Sequence, residues 1–279
     1  MREQTVDHGS MPDTRTTYLH GHHDSVLRSH RWRTVDNSAA YVLPWLAPGA
    51  RVLDVGCGPG TITAGFAGRV PAGLVVGIDA AAEALAGARA EAARQGRRNV
   101  SFDVCDVYKL GFRDATFDVV HAHQVLQHLT DPVAALAEMR RVCRPGGAVA
   151  ARDGDYGGFL WFPEDPELTE WRALYQGVAR ATGGEPDAGR RMLGWARAAG
   201  FTDVRTSASV WLFATPDERS WWGGLWADRL TQSDFAEHAV GYGLATRADL
   251  RRLASAWHRW VSSQDGWFLI PHGEILCHA

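Results

Sequence analysis

The sequence predicts an α/β fold built on a doubly wound, mostly parallel sheet of seven strands, and three observations predict it. Short apolar runs alternate with helical segments between residues 51 and 152, a spacing that favours parallel strands with helices on both faces. The first run, Val52-Leu53-Asp54-Val55, leads directly into Gly56-Cys57-Gly58-Pro59-Gly60, a tight turn whose glycines let backbone come close to a ligand. The second and third runs each close on an acid, Asp79 and Asp106. Right-handed crossovers gather such loops at the C-terminal edge of the sheet, where ligands of this architecture bind.

Taken in order, residues 1–16 are polar and aperiodic and read as a disordered leader. Residues 17–47 carry an interrupted helical pattern that ends around Pro44 and Pro48-Gly49. Arg51 to Val55 is apolar enough for a strand buried on both faces. A helix over 60–69 follows, then a second strand, Leu74 to Asp79, and an alanine-rich helix from about Ala81 to Gln95 that stops at Gly96. Asn99 to Cys105 and Phe117 to Ala122 are the third and fourth strands. Asp131 is placed to cap the next helix and Pro132 suits its first turn, while Arg140, Arg141 and Arg144 favour its C-terminal end before Pro145-Gly146-Gly147. Ala148 to Arg152 is the fifth strand.

Beyond Asp153 the alternation loosens. Helices are expected over Glu164 to Ala181, Asp187 to Ala199, Pro216 to Leu230 and Thr246 to Ser262. In the last of these, Thr246 and Asp249 hold capping-box positions, and Leu250, Leu253, Ala254, Trp257 and Trp260 share one face. Asp203 to Phe213 and Trp267 to Cys277 supply the two remaining strands. Ten of the twelve tryptophans follow residue 150, so an ordinary first half is joined to an aromatic second half.

Composition narrows the partners. Lys plus Arg (29) and Asp plus Glu (32) nearly balance, and a net charge of -3 gives no general attraction to nucleic acid or anionic membranes. Cys57, Cys105, Cys143 and Cys277 form no CxxC pair, which argues against a zinc site or disulfide framework and fits a cytoplasmic protein. No run of about 20 apolar residues suggests a membrane span. No Cys/His/Asp cluster has ligand spacing, so no metal is expected.

Asp79 lies nineteen residues after Gly60, where a carboxylate accepts from both hydroxyls of a ribose. Asp106 and Val107 follow the third strand, where an acid accepts from an adenine amino group and a backbone N–H meets a ring nitrogen. A dinucleotide-binding loop is the rival reading. It normally reads GxGxxG and seats a pyrophosphate on a helix N-terminus, whereas here proline sits inside the loop and Asp54 stands close by, which disfavours phosphate.

Together these residues resemble the motif series of class I S-adenosylmethionine (SAM) dependent methyltransferases, over roughly residues 48–152, within the group of small-molecule enzymes typified by UbiE and COQ5. The resemblance implies a Rossmann-like fold, SAM as cofactor with S-adenosylhomocysteine as product, and a small-molecule acceptor. It divides the chain into a leader (1–16), an N-terminal helical lid (17–47), a SAM-binding core (48–152) and a final part (153–279) whose inserted helices cap the acceptor side. In family terms, Asp54 orders the loop and the methionine ammonium, and Gly56, Cys57, Gly58 and Gly60 line the cofactor. Asp79 with Ala80 holds the ribose, and Asp106 with Val107 contacts adenine. His123 falls near the methionine end, and Tyr18 and His22 close over the methionine carboxylate. Ser29-His30-Arg31-Trp32-Arg33 resembles the His-Arg-containing helix of quinone methyltransferases, but Gln127-His128 stands where that group has Arg-Asn.

Methyl transfer from a sulfonium needs alignment and, for some acceptors, removal of a proton. His22, His23, His123, His128, Asp153, Asp155, Tyr156, His238 and His272 are the titratable groups to weigh, and position at the strand edge favours His128 and Asp155 as the catalytic pair. Gln127, Tyr156, Phe159, Trp161, Trp221, Trp222 and Trp226, with Phe162, are the expected lining for a planar aromatic, polyketide-like or quinone-like acceptor. A SAM-binding relative catalysing a different reaction, pericyclase-like or dehydratase-like, would carry the same motifs.

Overall fold

A computed structural model describes residues 29–279; the leader, Tyr18, His22 and His23 lie outside the described residues. Helical residues 29–31 lead to a short helix α1 (Val35–Ser38), closed by reciprocal hydrogen bonds between Thr34 and Asn37, and to a 3-10 turn over Ala40–Trp45. Then β1 (Arg51–Val55), α2 (Thr61–Arg69), β2 (Leu74–Asp79), α3 (Ala82–Arg94), β3 (Val100–Val104), β4 (Phe117–His123), α4 (Pro132–Val142) and β5 (Cys143–Gly154) alternate. The second half adds β6 (Leu160–Phe162), α5 (Pro166–Ala181), α6 (Met192–Ala198), β7 (Val204–Phe213), α7 (Pro216–Gln232), α8 (Asp234–Gly241), α9 (Arg247–Ser262) and β8 (Trp267–His278).

The strands form one sheet in the order β3-β2-β1-β4-β5-β8-β6, with β7 also on β8. β1 to β5 run parallel, and β8 is antiparallel to β5, β6 and β7. The order reverses between β1 and β4, which is where the fold opens a crevice at the C-terminal strand ends. Seven of the strands are those expected from the sequence; the three-residue β6 is an eighth that the pattern did not reveal. Asp131 caps α4 through the Ala134 N–H, and the Thr246–Asp249 capping box opens α9, both as expected. Pro145-Gly146-Gly147 differs from expectation. It lies inside β5, where the pairing with β4 slips between Phe117 and Val119, so it acts as an irregular strand entry and α4 ends earlier, at Val142. The helix expected from Asp187 is broken into a 3-10 turn (Ala188–Arg190) and α6.

Alternation along the strands sorts their side chains onto two faces. Val52, Val75, Val119, Ala148, Ala150 and Leu276 pack with Val35, Val42 and Phe66, on the side of the N-terminal segment and α2. Leu53, Val76, Val120, Val149, Ala151 and Ile275 pack on the opposite side with Leu136 and Met139 of α4 and Met192 of α6. By the same alternation Asp54, His121, His123, Arg152, His272 and Glu274 share the first face. A third core joins α5, α7, α8 and α9 to the ends of β7 and β8. Burying two acids, an arginine and three histidines on one sheet face is costly unless they are paired or serve a ligand.

Candidate active site

The glycine turn leaves β1 with Gly56, Gly58 and Gly60 all at positive φ, +64°, +51° and +76°, a region L-residues with a Cβ rarely adopt. Each glycine is required for a different reason. A Cβ on Gly56 would meet Val125 at 2.4 Å and one on Gly60 would meet Ala88 at 2.7 Å, so these two answer to packing inside the protein. A Cβ on Gly58 would meet only His30 Nδ1, at 3.9 Å, an ordinary contact, so among the described residues this glycine is not fixed by close packing. Cys57 is tied to β2 by its N–H on the Ile78 carbonyl, its own carbonyl accepts from Gly60 N–H, and its side chain packs with Ala64, Leu85 and Ala88, so it shapes the turn from within. Burial pushes its thiol far up.

Asp79 ends β2 half-buried, with one carboxylate oxygen accepting from Gly58 N–H and the other from Ala81 N–H, both at 2.9 Å. Each oxygen keeps a further lone pair for an incoming hydroxyl. Ala80 beside it is exposed. Asp54 is 3 % exposed and braced on both sides, by the Thr63 hydroxyl at 2.6 Å and by His121 Nδ1 at 2.8 Å. Its work is to hold β1, β4 and α2 in register under the loop. Asp106 is exposed after β3 and accepts from Tyr108 N–H, while Val107 packs against the α4-side core. A Gly58 without close packing, a carboxylate with spare lone pairs at the β2 end and an exposed acid at the β3 end suit a neutral adenosine bearing a cation, so these residues fit SAM.

Across the β4 and β5 ends lies a cluster of buried polar side chains. His123 closes β4, 5 % exposed, and neither ring nitrogen has a partner among the described residues. Burial, and the charges of Arg152 and Arg33, hold its pKa well below the ordinary value, so the ring is neutral and offers one donor and one acceptor. Gln124 follows at φ +52°, a strained setting for a residue with a Cβ. Its amide nitrogen is 2.9 Å from His272 Nε2, and His272 is also kept neutral, by burial first and then by Arg152 and Arg33. Gln127 is buried, its Oε1 unpartnered among the described residues and its amide nitrogen 3.1 Å from His128 Nε2.

The two residues favoured as catalytic by position are given other work. Asp155 caps the turn Tyr156–Gly158 through Gly158 N–H, and its carboxylate is gripped by the Arg190 guanidinium at 2.5 and 2.6 Å. His128 is half-buried, and burial pulls its imidazole down to about 4, too weakly basic to hold a proton taken from a hydroxyl at neutral pH. The aromatic lining is corrected in the same way. Tyr156 stacks on Tyr175 at 3.9 Å and on Phe159 at 4.3 Å, and Trp222 stacks on Phe213 at 4.6 Å. Trp226 is wholly enclosed by Trp171, Tyr175 and Trp257. These four rings are the interior of the cap, because helices inserted over a sheet need their own core. Trp161 and Trp221 are half-buried at its margin, and Phe162 is exposed.

Sequence reasoning passed over Arg152, Glu274, Ser207 and Ser209, Tyr41 and His121. The signal available was a charged residue at the end of an apolar strand, with an acid in the facing strand. Asp153 was weighed and set aside, yet it is fully buried, with Oδ1 accepting from Gln127 N–H at 3.2 Å. Burial raises its pKa to about 7. Between the ordinary carboxylate range and that value the folded protein holds a proton that the unfolded chain has lost, so stability falls as pH rises through this window. Asp153→Asn keeps the hydrogen bond and removes the titration. Its melting temperature relative to the wild type's is expected to be higher at pH 8 than at pH 5, where the window has only begun to open; thermal melts at the two pH values check this.

A family model described as a methyltransferase domain matches residues 46–194. An uncharacterized methyltransferase of Schizosaccharomyces pombe is 37 % identical over 278 residues, covering 96 % of this chain and 98 % of its own. The nocamycin O-methyltransferase of Saccharothrix syringae is 30 % identical over 204 residues, 66 % of this chain and 70 % of its own. A ubiquinone/menaquinone biosynthesis C-methyltransferase UbiE, from Bdellovibrio bacteriovorus, is 40 % identical over 101 residues, but these are 36 % of this chain and 43 % of its own, so likeness to that group is local. Among solved structures, the YcgJ protein of Bacillus subtilis superposes with a TM-score of 0.56 at 21 % identity, over 92 % of this chain and 98 % of its own.

Proposed function

The chain belongs to the class I SAM-dependent methyltransferases, and from that premise we propose that it methylates a small, planar organic acceptor seated at the β4 and β5 ends, beneath the cap. The observation that carries this reading is a buried polar cluster: His123, at the end of β4, and Gln127, in the turn that follows, are buried with polar atoms that no described residue satisfies. Buried polar groups are almost always hydrogen-bonded, so an acceptor with oxygen or nitrogen atoms at its edge is the natural complement.

SAM supplies the methyl group as a sulfonium, which leaves as a neutral thioether. The chain's part is alignment and exclusion of water. Asp79, Gly58 and Asp106 would hold the adenosine end, and His123 stands between that end and the acceptor. The rings of the cap act at one remove, since a rigid aromatic interior fixes Trp221 and Trp161 at its rim. The likeness to an O-methyltransferase over two thirds of the chain supports an oxygen centre on a polyketide-like or related aromatic acceptor. When the acceptor group is a neutral hydroxyl, its proton is lost as the new O–C bond forms.

Incubating the purified protein with SAM bearing a labelled methyl group and a panel of planar phenols, enols and aromatic acids tests this. One class should gain the mass of a methylene and the label, with an equal amount of S-adenosylhomocysteine. Consumption of an acceptor without label transfer would overturn the reading.

A further inference from the structure

Arg152 is 1 % exposed, and the β4–β5 register sets it directly beside His123. Its Nε edge is fully used. Nε donates to the Ser209 hydroxyl at 2.9 Å and reaches Glu274 Oε1 at 3.3 Å, and the Ser207 and Ser209 hydroxyls donate to Glu274 at 2.6 and 2.5 Å. Glu274 is thus satisfied by one guanidinium edge and two hydroxyls. The other edge differs: both terminal nitrogens of Arg152 are shielded from solvent and have no partner among the described residues. The guanidinium lies over the Trp211 ring at 4.9 Å, with Arg33 at 5.8 Å from the same ring, so its plane is fixed.

Other polar atoms on this sheet face share that condition, His121 Nε2 among them. His123 has two unpartnered nitrogens, and the Tyr41 hydroxyl is shielded and unpartnered among the described residues. Tyr41 packs on the same side of the sheet, within electrostatic reach of Arg152 and Glu274. Burial draws Arg152 down only to about 10, so it stays charged at neutral pH, and Tyr41, raised by burial, stays protonated. The available groups are therefore a guanidinium fork, an imidazole N–H and a phenol O–H. A fork with two free N–H groups in one plane matches a planar pair of oxygens. Glu274 is already matched, and Asp153, the next residue along β5, falls on the opposite sheet face, with Oδ1 on Gln127 N–H and Oδ2 unpartnered among the described residues.

Resting on the methyltransferase reading above, we propose that Arg152, His123 and Tyr41 form an oxyanion subsite, which seats a carboxylate or the enolate of a 1,3-dicarbonyl in the acceptor. Such an acceptor arrives already ionised. This accounts for a site in which His128 is a weak base and Asp155 is held by Arg190.

Calorimetric titration of the protein saturated with S-adenosylhomocysteine, using 2-naphthoate and 2-naphthamide as probes, tests the subsite. The two share a ring and differ in charge. Wild-type protein is expected to bind the acid about tenfold or more tightly than the amide, as charge-assisted pairing to a buried fork implies. Arg152→Lys, His123→Gln and Tyr41→Phe should each shrink that preference, Arg152→Lys most. Tyr41→Phe deletes a single hydroxyl and serves if Arg152→Lys does not fold. Equal binding of acid and amide by the wild type, or a preference unchanged in every folded variant, would overturn the subsite. Failure of S-adenosylhomocysteine to bind the wild type would instead overturn the methyltransferase reading, so the two failures are distinguishable.

Discussion

Asp79→Ala is expected to weaken S-adenosylhomocysteine binding about a hundredfold while leaving the sheet intact. The carboxylate joins the glycine turn to the start of α3 by accepting from Gly58 and Ala81 N–H, and its remaining lone pairs face the crevice. Hydrogen bonds to a charged partner contribute about 1.5–3 kcal/mol each, and a hundredfold corresponds to roughly 2.7 kcal/mol, so loss of two ribose contacts accounts for the change. Alanine also leaves Gly58 N–H without its acceptor, which loosens the turn. Asp79→Asn separates the two effects, because it keeps one acceptor oxygen for the turn but turns the other position into a donor. Its affinity should fall between those of wild type and alanine. Calorimetry reads all three; an affinity for the alanine variant within about twofold of wild type would contradict the ribose assignment.

Trp226→Ala should destabilise the fold without altering cofactor binding. The indole is fully enclosed, edge-on to Trp171 at 4.6 Å and to Tyr175 at 5.5 Å, with Trp257 stacked beyond. Removing a large buried ring costs about 3–5 kcal/mol through lost burial and the cavity left behind. In a chain of this size that lowers the melting temperature by about 10 °C. The result discriminates between two roles for the aromatic half. A ring lining an acceptor chamber would show little thermal effect and a raised acceptor KM; a ring in the interior of the cap shows the reverse. Thermal melts and S-adenosylhomocysteine titration of the variant decide it.

The cofactor half was legible because its chemistry is local. Asp54, the three glycines, Asp79 and Asp106 each sit at a strand end, and strand ends follow from apolar runs and turn residues without any knowledge of distant contacts. Even there the reasons differ from residue to residue. Gly56 and Gly60 answer to Val125 and Ala88, whereas Gly58 has no close neighbour among the described residues. The proposed acceptor side was less legible because its polar groups are assembled across the sheet. Arg152 meets Glu274 from 122 residues away, and Glu274 meets Ser207 and Ser209 through the antiparallel pairing of β7 and β8. No local spacing encodes that row. Counting aromatic residues misled for a related reason: composition shows that rings abound after residue 150, but not whether they face a ligand or one another. The ion pair of Asp155 with Arg190, 35 residues apart, is likewise invisible to position along the chain.

The measurement that bears most directly on the account is the crystal structure of the S-adenosylhomocysteine complex. The account predicts both ribose hydroxyls on the Asp79 carboxylate, the adenine beside Asp106 and Val107, and the sulfur turned toward His123 and the polar cluster that ends at Arg152. An adenosine bound away from Asp79, or a sulfur facing a side of the sheet from which His123 and Arg152 are screened, would contradict it.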